Sequence, residues 1–225
     1  MTTNTNPQPD TPRAMLFPAL EKTVTELLAS MDQIPEERKA LLDQVAAYIA
    51  DHEHRDEQAK LIFICTHNSR RSHMSQIWAQ TAAWLSGIRS FESYSGGTEA
   101  TAFHPNAIRA LTDCGFHAET QADERNPLTV ITFAESAPRM EAWSKRFDDP
   151  RNPQADFAAV MTCSDADEAC PIVPGAKARF PVRYLDPKRS DGSDEERAVY
   201  AASCHEIGRE MLYVARQAAL LSRFA

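Results

Sequence analysis

The sequence predicts an α/β fold with a mainly parallel central sheet flanked by helices and a helical hairpin in front of it. Three observations predict this. Short continuous apolar runs, "LIFI" at 61–64 and "DFAAVMT" at 156–162, have the length and composition of strands buried on both faces. Stretches with apolar residues at helical spacing lie between and around them. Strands that alternate with helices pair in parallel through right-handed crossovers.

The elements follow in order. Residues 1–15 are polar and proline-containing and read as a disordered tail. In "FPALEKTVTELLASM", Phe17, Leu20, Val24, Leu27, Leu28 and Met31 keep helical spacing, and Pro18 suits a first turn. Pro35 opens a second helix, Glu36 and Glu37 suit its positive start, and Leu41, Leu42, Val45, Tyr48 and Ile49 form its stripe. A short link predicts an antiparallel hairpin over 16–57, followed by the main domain at 58–225. The charged run 51–60 reads as a solvated helix end and linker.

After the 61–64 strand, residues 72–86 read as a helix and "SFESYS" (90–95) as a strand. "HPNAIRALTDCGF" has Pro105 at a helix start and Gly115 past its end. "LTVITFA" (128–134) is β-prone, while "MEAWSKRF" is equally strand or short helix. "RFPVRY" (179–184) reads as the last strand. From about Asp194 a long helix carries Val199, Ser203, Ile207, Met211, Val214, Ala218 and Leu221 on one face.

Composition narrows function. A net charge of −8 argues against nucleic acid or anionic membrane as partner. No apolar run reaches the ~18 residues of a membrane helix, and the N-terminus has no signal-peptide core. The expectation is a cytoplasmic protein whose five cysteines are reduced, catalytic or redox-active.

Cys65 ends the first strand and Arg71 stands at the mouth of the next helix, with a polar loop between. Ligands of open α/β sheets bind beyond the carboxyl ends of strands, where helix N-termini favour anions. The amides of residues 66–72 can form an anion nest, and Arg71 adds a fork matched to a tetrahedral oxyanion. The same positive field favours a Cys65 thiolate. The bland alternative is a buried inert cysteine with Arg71 on the surface.

"CTHNSRRS" resembles the phosphate-binding loop of the low-molecular-weight protein tyrosine phosphatases. "SYSGGTEA" resembles that family's strand and glycine turn, and "YLDPK" (184–188) its aspartate-proline segment. The resemblance runs from about Lys60 to the C-terminus. It implies Cys65 as nucleophile, Thr66, His67, Asn68, Ser69, Arg70, Arg71 and Ser72 around the oxyanion, and Asp186 as general acid or base.

The second informative stretch is "VMTCSDADEACPIVPG". The separation of Cys163 and Cys170 does not fit a compact zinc knuckle, and Asp165, Asp167 and Glu168 lack the spacing and glycine of an EF-hand, so no metal site is expected. The two thiols can pair if the segment between them moves. Taken as a bland reading, they are small core residues. The stretch resembles the thioredoxin-coupled arsenate reductases of the same fold. That resemblance implies a relay. Cys65 forms a thiol-arsenate adduct, Cys163 attacks Cys65 and releases arsenite, Cys170 attacks Cys163, and thioredoxin or a similar thiol donor reduces the Cys163–Cys170 bridge.

The chain departs from the reductase pattern at His67 and Arg70, where glycine and cysteine are usual. Arg70 either strengthens anion binding or faces solvent. No cofactor is required. A monovalent cation held in some reductases would use Asn68 and Ser95 here, but Gln76 replaces the helix carboxylate and weakens that expectation. The hairpin and an insertion near 126–155 exceed the minimal domain, with room for a cover over the site, a homodimer contact or recognition of a larger substrate. Cys114 and Cys204 read as structural, His104 as a loop or cap residue, and Trp78 and Trp84 as core, with Trp143 placed to line a pocket. Two other functions stay open. One is phosphomonoester hydrolysis through a phosphocysteine on the same Cys65, Arg71 and Asp186. The other is a non-catalytic redox or oxyanion sensor.

Overall fold

A computed structural model of the chain describes residues 15–122, 125–170 and 172–223. The expected tail falls almost wholly outside them. The helices are α1 (Pro18–Ala29), α2 (Glu36–His54), α3 (Arg71–Leu85), α4 (Pro105–Asp113), α5 (Ser164–Ala169) and α6 (Glu196–Leu221). The strands are β1 (Ala59–Cys65), β2 (Phe91–Gly97), β3 (His117–Thr120), β4 (Thr129–Thr132), β5 (Met140–Ala142), β6 (Phe157–Met161) and β7 (Ala176–Phe180).

The central sheet has the order β2-β1-β6-β7, and every pairing in it is parallel. β1 lies inside, with both faces covered, as its unbroken apolar run requires. Leu61 and Phe63 face the large core under the helices, while Ile62, Ile64 and Cys65 face a smaller cluster with Met161, Cys163 and Ala166. From Leu61 to Ile64 successive side chains go to opposite faces; the alternation ends at Cys65, where the strand ends.

The β-prone 128–134 segment supplies β4, which belongs to a separate antiparallel sheet of order β3-β4-β5. Two expectations are corrected. The last strand stops at Phe180 instead of running over 179–184, because Pro181 has no amide to continue the ladder. Val182 and Tyr184 are buried without being strand residues, which is why they imitate one. The hairpin helices lean on α6 more than on one another. Arg38 of α2 grips the buried Glu210 of α6 with two hydrogen bonds of 2.7 and 2.8 Å, and Tyr213 of α6 donates to Asp43 at 2.9 Å. Leu20, Val24, Leu27, Leu42, Val45 and Ile49 are all buried in the large core, so the extension is packed into the α/β domain.

Other features match. His104 caps α4, its Nδ1 accepting from the Asn106 amide at 3.2 Å. Gly115 has φ +103°, and a Cβ there would stand 2.2 Å from the Leu20 nitrogen, so only glycine ends α4 against α1. No helix among the described residues is long and apolar enough to cross a membrane.

Candidate active site

The loop at 66–70 joins the C-terminal end of β1 to the first turn of α3. None of the backbone amides from Thr66 to Arg70 donates to a protein group among the described residues. With the first-turn amides of α3 they make a concave row of donors suited to an anion. Asn68 turns the loop with φ +44°, a left-handed conformation that asparagine tolerates. Its side chain holds the turn from inside. Nδ2 donates to Ser72 Oγ at 2.9 Å, and Oδ1 accepts the Lys145 amide at 2.8 Å. Ser72 Oγ lies 3.1 Å from Cys65 Sγ.

A second wall closes on the loop from behind. Glu99 donates its amide to the Thr66 carbonyl at 2.8 Å, and the Ser144 hydroxyl donates to the His67 carbonyl at 2.9 Å. A Cβ on Gly97 would stand 2.6 Å from the Thr66 carbonyl and 2.7 Å from the Asn68 nitrogen. The glycine turn of "SYSGGTEA" is therefore a steric requirement of this loop.

The two arginines point differently. Arg71 is buried, and its fork reaches Asp186 Oδ2 at 2.5 Å and the Tyr184 carbonyl at 3.1 Å. Asp186 also caps the turn Pro187–Ser190, accepting from the Lys188 amide at 3.0 Å. Thus Cys65, Arg71 and Asp186, far apart in sequence, converge at one end of the sheet. Arg70 fits neither of its two expected roles. Its guanidinium is buried against α6, donating to the Tyr200 hydroxyl at 2.5 Å and to Asp191 at 2.8 Å. Its side chain braces the loop, leaving only its amide toward an anion. The side chains of Thr66, His67 and Ser69 are likewise turned outward or to neighbours, with Ser69 donating to the Ala102 carbonyl at 2.7 Å. This leaves their backbone amides, not their side chains, as donors for an anion.

Cys65, Cys163 and Cys170 are free thiols. Cys65 and Cys163 share the smaller apolar cluster, at the ends of the neighbouring strands β1 and β6. The hydroxyl of Thr66, the residue after Cys65, lies 3.5 Å from Cys163 Sγ. Cys163 also caps α5, its sulfur accepting the Ala166 amide at 3.4 Å. Cys170 sits at the other end of that six-residue helix. At ~1.5 Å per helical residue, the two α-carbons lie about 10 Å apart, beyond disulfide reach. The pair that sequence reasoning left dependent on a mobile segment is thus separated by a formed helix.

The expected cation ligands already have protein partners. Asn68 serves Ser72 and Lys145, and Ser95 Oγ lies 3.1 Å from His73 Nδ1. These residues do not fit a cation site as the chain is folded. Cys114 and Cys204 lie against each other in the large core, Sγ to Sγ 3.7 Å, with Trp78 Nε1 donating to Cys204 at 3.3 Å. The hydrogen bond to Cys204, and then burial, push the Cys114 thiol up.

Sequence reasoning missed the braces: Tyr200 and Asp191 behind Arg70, Ser144 and Lys145 behind the loop. Their only signal was polar residues within otherwise core-like segments.

The family model described as "Low molecular weight phosphotyrosine protein phosphatase" matches residues 60–136. An arsenate reductase of Halalkalibacterium halodurans is 28% identical over 152 residues, covering 67% of this chain and 91% of that protein. One from Bacillus subtilis is 27% identical over 156 residues, covering 69% and 94%. Among solved structures, the YwlE mutant from Bacillus subtilis aligns with 16% identity and a TM-score of 0.47, over 72% of this chain and 97% of that one.

Proposed function

We propose that this chain, which resembles the low molecular weight phosphotyrosine protein phosphatase family, is an arsenate reductase working through three thiols. The observation that carries the reading is the order of the free thiols around the loop. Cys65 lies at the anion nest, Cys163 shares its small apolar cluster at the end of the neighbouring strand, and Cys170 is at the far end of α5.

In this reading the loop amides and Arg71 hold arsenate while the Cys65 thiolate attacks arsenic, and an oxygen leaves as water. The Cys163 thiolate then attacks the Cys65 sulfur. The sulfur–arsenic bond breaks with its electron pair staying on arsenic, so arsenic is reduced to arsenite as the Cys65–Cys163 disulfide forms. Cys170 attacks Cys163 and returns Cys65 as thiolate. A dithiol donor of the thioredoxin class reduces the Cys163–Cys170 bridge. The separation of these two thiols requires α5 to unwind at this step. The helix is short; Asp167 accepts from Arg183 Nε at 2.6 Å, and Arg179 donates to the Asp167 and Cys170 carbonyls at 2.6 and 3.2 Å.

The phosphatase reading uses the same Cys65, Arg71 and Asp186, and the family description favours it. It gives Cys163 and Cys170 nothing to do. One experiment separates the two. The fully reduced chain is incubated with arsenate, quenched with an alkylating agent and mapped for disulfides, beside an aryl phosphate assay. The reductase reading expects arsenite together with Cys65–Cys163 and Cys163–Cys170 bridges. Phosphate release with no arsenite and no bridge would replace it with the phosphatase.

A further inference from the structure

A cleft of about 1200 Å³ opens between the outer edge of β2, the face of α3 and the segment that carries β5. None of residues 65–72 lines it, nor does Asp186, so it is separate from the nest at Cys65. Its volume suits a small organic molecule. Trp143, the tryptophan of the insertion, forms part of the wall with Met140 and Tyr94.

The charges in this cleft are unusual. Lys145 is only 5% exposed. Its ammonium stands 4.2 Å from the centroid of the Trp143 ring, and the Arg151 guanidinium stands 4.7 Å from the same ring. Neither cationic head has an ion pair or a side-chain hydrogen bond among the described residues. Two cations on one indole repel each other, and an unpaired buried charge is costly unless something compensates it. Burial lowers the Lys145 amine to about 8, with Asp149 opposing the shift and Arg151 adding to it. Beside it, Gln76 is 6% exposed, and its Oε1 is buried without a partner. The cleft therefore sets two cations without an ion pair, one buried and one exposed, on a single indole beside an acceptor without a donor; Glu92 and Glu141 also line it, but neither pairs with these two cations. Groups of this kind converging in a cavity mark a binding site.

We propose that this cleft binds a small organic anion, with Lys145 and Arg151 pairing with its acidic head, Gln76 taking a hydroxyl or amine donor, and Trp143 stacking on its apolar body. A carboxylate, sulfonate or phosphate head meets the same two cations. An apolar body of one or two rings matches the aromatic and methionine wall. Inorganic oxyanions, which the nest at Cys65 suits, lack that body.

The test uses the full chain and naphthalene sulfonate, which no hydrolase can cleave, in titration calorimetry. Naphthalene methanol serves as the neutral partner and inorganic sulfate as the headgroup alone. The proposal expects saturable one-to-one binding of the sulfonate. It expects binding at least tenfold weaker for the neutral alcohol and for inorganic sulfate. Lys145→Met should weaken the sulfonate tenfold or more, while Lys145→Arg stays within about threefold. Equal binding of the sulfonate and the alcohol, or undiminished sulfonate binding in Lys145→Met, overturns the proposal, as does failure of the wild-type chain to bind. The comparison of probes on the wild-type chain decides the matter even if Lys145→Met does not fold.

Discussion

Arg71 Nη2 donates to Asp186 Oδ2 at 2.5 Å, so the fork that would grip an oxyanion already holds the carboxylate that would move its proton. An oxyanion entering the loop competes with Asp186 for that fork. Release of Asp186 would place a free carboxylate beside the bound anion. Asp186→Asn keeps an acceptor for Arg71 but has no proton to exchange. Aryl phosphate hydrolysis should fall by about 10²-fold or more, while affinity for arsenate changes little. Arg71→Lys loses the planar fork and should lower both activities nearly as far as Cys65→Ser, which removes the thiolate nucleophile. Steady-state kinetics and product-inhibition constants check both. Full activity in Cys65→Ser would exclude every enzymatic reading.

The relay makes a sharper demand on α5. Cys170→Ser should give about one arsenite per chain and stop with Cys65 and Cys163 joined, since no third thiol remains to open that bridge. Cys163→Ser should stop earlier, with the arsenic adduct on Cys65, and keep aryl phosphate hydrolysis largely intact. Quenched arsenite counts with a dithiol donor in excess measure the first, and intact-mass analysis the second. Arg183→Ala loosens the hold on Asp167 and should speed the Cys163–Cys170 step, provided unwinding of α5 limits it.

Much of this fold was legible because its signals are local. β1 carries the unbroken apolar run 61–64, α4 carries its proline and glycine at the expected ends, and the stripes of α1 and α2 have helical period. β3, "HAET", was invisible, since an exposed four-residue edge strand has no apolar alternation. α5 was invisible for another reason: the residues that cap it at both ends are the cysteines that drew attention as chemistry. At the site, the nucleophile and fork were legible from the strand–loop–helix pattern. Arg70 was not, because its partner Tyr200 is 130 positions away. Lys145 was not, because burial of an amine depends on elements that arrive from α3 and β2.

Arg38 links the N-terminal helices to the site. Arg38 pairs with Glu210, and its guanidinium also lies 5.0 Å from the centroid of the Tyr184 ring; the Tyr184 carbonyl accepts from Arg71. Arg38→Ala leaves Glu210 buried without its partner, which costs about 3–5 kcal/mol. At ~2–4 °C per kcal/mol for a chain of this size, the melting temperature should drop by roughly 6–20 °C. Arg38→Ala with Glu210→Ala together should recover part of the loss, since no orphaned charge remains. Cutting the chain before Lys60 should expose the α6 face and lower solubility. If the truncated chain were soluble, monomeric and equally stable, the extension would be an appendage with no structural role.

Lys145 gives the clearest pH dependence. Its amine lies at about 8 in the folded chain against an ordinary value of 10.5. Below pH 8 the amine is protonated whether the chain is folded or not, and the full burial cost of the charge is present. Between these two values the folded form has lost the proton while the unfolded form keeps it, so unfolding takes up a proton and stability rises with pH. Above 10.5 neither form is charged and the cost is gone. The charged and titratable groups around it are Asp149, Arg151 and His73; burial first, then Lys145, holds His73 neutral far below this window. Lys145→Met removes the charge and keeps the stem. Its stability relative to the wild type should therefore be greatest near neutral pH, by up to ~3 kcal/mol, and the difference should shrink steadily as pH rises through the window. Denaturant midpoints of both proteins across that range measure it, and every other titrating group cancels in the difference. A gap that stayed flat would mean that the amine is already paired or solvated in the folded chain.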